Sequence, residues 1–162
     1  MLEQQALLLR HWSPASGPDR RRDIVDPATG QRLGFAARTL PARTWLRWFT
    51  RPVVSVHEEE DESLLLLIHP LWGWVSNWDV RDADNHRVGV CRGAVLQDRF
   101  GTVLAAVERE SDGFAWTFRG PDGGELGRLA LSAEGTRLIF ADGLEGNPFA
   151  KMLLLAKALG VE

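Results

Sequence analysis

Residues 148–159 read Pro-Phe-Ala-Lys-Met-Leu-Leu-Leu-Ala-Lys-Ala-Leu, and wound as a helix they are apolar on nearly every side. Only Lys151 and Lys157 interrupt the apolar surface. A helix that is apolar all round must bury every face. This is the strongest helix signal in the chain, and it follows a long series of short strand-and-turn units. A solitary buried helix after an otherwise β chain predicts a barrel closed around its own C-terminus. The apolar run covers about 12 residues, short of the roughly 20 that a helix needs to cross a bilayer.

The turns recur with a common chemistry. Asp26-Pro-Ala-Thr-Gly30, Asp82-Ala-Asp-Asn85, Asp98-Arg-Phe-Gly101, Pro121-Asp-Gly-Gly124 and Ser132-Ala-Glu-Gly135 each open a short alternating segment. Asp and Ser bond the turn backbone, and Gly or Asn accepts a positive φ. Such turns join antiparallel strands. Alternation places Leu33, Phe35 and Ala37 on one face with Arg32 and Arg38 on the other. It likewise sets Trp78 and Val80 against Asp79 and Arg81, and Phe114, Trp116 and Phe118 against Thr117 and Arg119. Leu64–Ile68 is apolar without alternation, as in a strand covered on both faces. Ten to twelve strands result, in one domain over residues 1–162, mainly β and closed around the helix. Pro41 to Thr50 reads as one short helix with Pro in its first turn.

Composition narrows the function. The net charge of −3 gives no basis for nucleic-acid binding, so an anion-binding surface would have to be local. Cys91 is the only cysteine, which excludes an internal disulfide and suits a reducing, cytoplasmic compartment. The start Met-Leu-Glu-Gln-Gln lacks the basic charge and apolar run of a secretion signal. Trp occurs seven times and Tyr not at all, a bias that core or barrel-rim packing accounts for.

The order of units resembles the tubby-like superfamily, in particular its LURP-one-related and phospholipid-scramblase-like branch. The resemblance rests on Arg22-Asp-Ile-Val-Asp26-Pro-Ala-Thr-Gly30-Gln-Arg-Leu-Gly34 and on Arg51-Pro-Val-Val-Ser-Val followed by acids and Leu64–Pro70. It continues through Trp78-Asp-Val-Arg-Asp82 to Gly89 and the apolar segment Phe149–Leu159. It implies a closed barrel of about a dozen strands threaded by that segment. For function it implies contact with phosphoinositides or other membrane phospholipids, with lipid scrambling in some members and no defined activity in many.

The candidate lipid-binding residues are Arg38, Arg43, Trp45, Arg47, Trp48 and Arg51, with Phe49 among them and no acid between. Guanidinium groups suit phosphate geometry, and Trp suits the headgroup interface. In a helix Arg43, Arg47 and Arg51 share one side. The expected partner is an anionic phospholipid membrane surface, bound peripherally. The same segment also reads as a plug for a barrel end, with Trp inward and Arg solvated. The alternative function is then a protein-interaction or scaffold domain without lipid affinity.

Other candidates read as structural. The Arg20-Arg21-Arg22 run could add to the basic patch but reads better as a solvated turn between Asp19 and Asp23. The acids Glu58 to Glu62 form a charged hairpin tip. Asp82, Asp84 and His86 fail the EF-hand pattern, because its sixth and twelfth positions are Arg87 and Gly93. Asp142 and Glu145 stand where scramblase relatives carry their proposed calcium loop but lack its acidic spacing. Asn147-Pro148 reads as an N-cap and first-turn proline. The four histidines His11, His57, His69 and His86 have no zinc-protease spacing, and Cys91 reads as a small buried residue. No catalytic constellation, metal or cofactor is expected.

Overall fold

A computed structural model describes residues 1–13, 19–39, 52–59, 63–71, 77–111 and 113–160. Twelve strands form one closed antiparallel barrel. They are β1 (Ala6–Arg10), β2 (Asp19–Val25), β3 (Arg32–Thr39), β4 (Val53–Glu58), β5 (Leu64–Pro70) and β6 (Asn77–Asp82). There follow β7 (Arg87–Arg92), β8 (Val95–Asp98), β9 (Val103–Arg109), β10 (Ala115–Arg119), β11 (Glu125–Ser132) and β12 (Gly135–Phe140). Each strand pairs with the next in sequence, and β1 closes on β12 from Ala6↔Ile139 to Arg10↔Gly135. Closure leaves no free sheet edge.

The expected turn chemistry is present. The Asp26 carboxylate accepts the Ala28 N–H and the Thr29 hydroxyl, each at 2.8 Å. These bonds hold its pKa below the ordinary 3.8. Asp98 Oδ1 accepts the amides of Phe100 and Thr102 at 2.9 Å. Asp82 Oδ1 accepts the His86 amide at 2.8 Å, and Asn85 takes the positive φ of 64° that this turn requires.

After a 3-10 turn at Asp142–Leu144, helix α1 (Pro148–Leu159) runs through the barrel. Asn147 Oδ1 caps it, accepting the Ala150 N–H at 3.0 Å, and Pro148 occupies a position that needs no donor. Every residue from Ala150 to Leu159 is buried. Around them pack Leu7, Leu9, Ile24, Val56, Leu66, Val80, Leu96, Phe118, Leu129 and Leu138, contributed by strands all round the barrel. Each large side chain so buried contributes about 1.5–3 kcal/mol. Glycines make room for the helix: a Cβ on Gly89 would lie 2.9 Å from Leu153 Cδ1, and one on Gly127 would lie 2.9 Å from Leu154 Cδ2.

The two lysines of α1 are also buried and mark its two ends. Lys151 Nζ donates to the Leu2 carbonyl at 2.7 Å, just before β1. Lys157 Nζ donates to the Gly93 carbonyl at 2.7 Å, between β7 and β8. Because the strands alternate in direction, the turns β2–β3, β6–β7 and β8–β9 all lie at the mouth where α1 begins. The connections β1–β2, β3–β4, β5–β6 and β7–β8 lie at the mouth where it ends.

The structure shows which face of β3 is the inner one, and it corrects two local expectations. In β3, Ala36 belongs to the core, whereas Phe35 lies on the outer wall and is covered there. The Arg21 guanidinium sits 3.6 Å from its ring centroid, and the His57 ring stacks on it at 4.9 Å. Arg22 is not part of a solvated turn. It is a fully buried residue of β2. In β5, Leu66 and Ile68 are buried, but Leu65 and Leu67 on the alternate positions, and Leu64 at the strand start, are only half-buried. The short helix expected over Pro41 to Thr50 lies outside the described residues.

Candidate functional site

The mouth where α1 ends is built from long polar side chains laid on aromatic ones. Arg22 and Ile24 share the inner face of β2, so the arginine enters the barrel beside β1 and β12. Its Nη2 donates to the Leu9 carbonyl at 3.0 Å and to Thr136 Oγ1 at 2.7 Å, and its Nε donates to the Arg10 carbonyl. A planar guanidinium meets spaced acceptors from separate nitrogens, whereas an ammonium must reach them all from one. The half-buried Trp12 indole lies beside it, and the Arg38 guanidinium sits 4.5 Å from the Trp12 ring centroid.

Arg38 follows Ala36 on the inner face of β3. It lines a narrow crevice with Val54, Ile68, Trp78, Leu159 and Gly160. The Trp78 indole closes on the helix end, its Nε1 3.0 Å from where a Gly160 Cβ would stand. Helix C-termini carry partial negative charge, and cations there are favoured by about 0.3–1 kcal/mol. Lys157 and Arg38 supply that charge.

Lys157 lies near Cys91, whose Sγ faces the Leu153 carbonyl at 4.0 Å. Burial lowers the Lys157 pKa below 10.5, and the Cys91 charge opposes that shift. Burial pushes the Cys91 thiol up to about 12. A wholly buried thiol with that pKa is packing, not a nucleophile.

Of the residues predicted to contact lipid, Arg38 alone is described, and it is half-buried at this mouth. Arg43, Trp45, Arg47, Trp48 and Arg51 lie outside the described residues, as does Phe49. The strand ends that bracket them are described. Thr39 pairs with Val53, so the chain between leaves and rejoins the barrel at this mouth. Pro70 pairs with Trp78, and the Leu71 amide donates to the Asn77 carbonyl at 2.9 Å, so the β5–β6 connection does the same.

The remaining candidates are at the opposite mouth. Glu59 Oε2 lies 2.9 Å from Arg32 Nε, and Glu58 Oε1 accepts from the Met1 amino group at 3.1 Å. The first two acids of the run are therefore ion-paired, and positions 60–62 lie outside the described residues. Asp82, Asp84 and His86 each bring one ligand atom within 4.8 Å of the others, a proximity that the failed EF-hand pattern did not reveal. The turn accounts for Asp82, which caps the His86 amide. Asp142 and Glu145 are exposed around the 3-10 turn. Sequence reasoning placed Arg22 in a solvated turn and named Lys157 only as a break in the apolar surface of α1, because their acceptors on β1, β12 and the β7–β8 turn leave no local sign in the sequence.

Among the described residues, no helix is long and apolar enough to cross a membrane. Compared with known proteins, the chain matches no family model, no curated protein and no solved structure.

Proposed function

We propose that this protein is a non-enzymatic, cytoplasmic domain that binds anionic phospholipid peripherally, through the barrel mouth at which α1 ends. The observation that carries the reading is topological. The β3–β4 and β5–β6 connections leave neighbouring strands at the same mouth. The first contains Arg43, Trp45, Arg47, Trp48, Phe49 and Arg51, the second contains Trp72 and Trp74, and neither contains an acid. Arginine suits phosphate and Trp suits the headgroup interface, so two connections of this composition anchored at one mouth favour an anionic lipid surface.

The filled barrel adds support. A helix occupies the interior, which directs a lipid to the outside of the barrel rather than to a lumen. A closed barrel around a C-terminal helix is also the architecture that the resemblance to the tubby-like superfamily, whose members are associated with phospholipids, implies.

Co-sedimentation with liposomes tests the reading, comparing neutral with anionic vesicles at low and moderate salt. Basic residues near an anionic surface contribute about 1 kcal/mol each, screened by salt. Changing Arg43, Arg47 and Arg51 together to Glu should therefore weaken binding by at least roughly 100-fold. Undiminished binding by a folded triple variant defeats the assigned site. An absence of binding by the unaltered protein defeats the lipid reading and leaves a protein-interaction domain.

A further inference from the structure

The mouth at which α1 begins holds a cavity of about 470 Å³, between the β6–β7 turn, the β8–β9 turn and the first turn of the helix. That volume falls within the range of small-molecule sites. Its apolar wall is Val88, Leu104, Ala150 and Leu153. Phe100 and Phe149 stand on its rim, 77% and 50% exposed. Hairpin tips and helix starts favour polar residues. Two exposed phenylalanines from elements distant in sequence converge on one cavity, and the folded domain gains little by exposing them.

The charges on the rim are unequal in availability. Asp98 Oδ1 accepts the amides of Phe100 and Thr102, and Asp82 Oδ1 that of His86, so each carboxylate has one oxygen tied into its own turn. Arg87 is held by Asp79, its Nε 2.6 Å from Oδ1. Arg99 differs: among the described residues it has no carboxylate within ion-pair distance, and it lies over the Phe100 ring at 4.7 Å. The site thus offers an apolar wall, aromatic edges and one uncommitted guanidinium. The positive end of the α1 dipole lies alongside.

We infer that this cavity binds a small apolar molecule with a single anionic head, of the medium-chain monocarboxylate class, with the chain against Leu104 and Leu153 and the carboxylate at Arg99. The site is independent of the proposed membrane contact, which belongs to the opposite mouth.

Calorimetric titration of the full chain with octanoate tests this, with octanol and octylammonium as probes of equal chain length. Octanoate is expected to bind saturably, one per chain, at least tenfold tighter than either. Arg99→Glu should weaken octanoate at least tenfold. Leu104→Trp, which fills the cavity, should abolish binding, and Phe149→Ser, at an exposed position, should weaken it without threatening the fold. Cooperative thermal unfolding identifies the variants that remain folded.

No saturable octanoate binding overturns the inference. So does octylammonium or octanol binding as tightly as octanoate, or unchanged affinity in Arg99→Glu and Phe149→Ser. Displacement of octanoate by anionic vesicles would also overturn it, by making the mouth a membrane contact.

Discussion

Lys157 Nζ donates to the Gly93 carbonyl at 2.7 Å from a side chain that the barrel buries. The bond ties the last turn of α1 to the β7–β8 turn. Lys151 makes the matching bond to the Leu2 carbonyl at the other mouth. The helix is therefore fixed along its axis by a cation at each end, whereas apolar packing alone is non-directional.

Stability should depend on the Lys157 charge. Burial lowers its pKa below 10.5, with the Cys91 charge a smaller opposing influence. Between the lowered value and 10.5 the unfolded chain binds more protons than the native one, so this contribution to stability rises with pH. Cys91 has the opposite sign: its contribution is present below 9.0 and is lost as pH climbs toward about 12. Comparing the protein with Lys157→Met, which retains Cys91, largely cancels the thiol. Urea unfolding at about pH 8 and at pH 10.5, the upper end of that window, should show the difference moving in favour of the lysine protein at the higher pH. A gap that does not change with pH would refute the assignment.

Arg22 should be a large single contributor to stability. Replacement by Met leaves the Leu9 and Arg10 carbonyls and the Thr136 hydroxyl without this donor inside the barrel. A loss of about 3 kcal/mol is expected, given about 1–3 kcal/mol for each buried group left unmatched. Arg22→Lys should recover less than half, because an ammonium cannot reproduce the fork. Equilibrium denaturation of the two variants checks both values, and equal stability of Lys and Arg at this position would contradict the forked arrangement.

These residues also mark how far the sequence could be read. The Asn147-Pro148 cap, the Asp-started turns and α1 were legible because each is a local pattern with a local cause. The closed barrel followed because a helix apolar on all sides demands a complete wrapping. Alternation in β3 was legible too, but alternation names two faces without naming the inner one. The Phe35 face proves to be the outer one, where Arg21 and His57, from neighbouring strands, cover it. The burial of Arg22 depends on acceptors from β1 and β12, and the cavity at Phe100 and Phe149 depends on turns and a helix far apart in sequence. No periodicity within a segment encodes either. The Arg-Trp stretch is the reverse case: its chemistry was plain in the sequence, and the described structure adds the mouth to which it is attached.

The close approach of barrel wall and helix should make Gly89 intolerant of a side chain. A Cβ there would lie 2.2 Å from the Gln97 carbonyl oxygen and 2.9 Å from Leu153 Cδ1. The first contact is with backbone, which cannot swing aside. Gly89→Ala should destabilise the fold by about 1–3 kcal/mol or more, as overpacking does. Gly143→Ala, where a Cβ would have nothing within 4 Å, should stay within about 0.5 kcal/mol of the parent. Thermal unfolding of the pair provides the comparison, and equal melting temperatures would mean that the helix does not sit against β7.

Cys91 reports whether α1 stays in the barrel when the protein meets a membrane. Its thiol is wholly buried against the Leu153 carbonyl of α1 and is pushed up to about 12 from 9.0. The pKa alone lowers its thiolate fraction near neutral pH by roughly 1,000-fold. Labelling by an aromatic disulfide should be very slow in the native protein and rapid once urea unfolds it. Peripheral binding leaves the helix in place, so anionic vesicles should not accelerate labelling even where they bind the protein. Helix release into the bilayer would expose Cys91, and vesicles would then speed the reaction many-fold. That acceleration, seen without urea, would replace surface contact by an inserting mechanism.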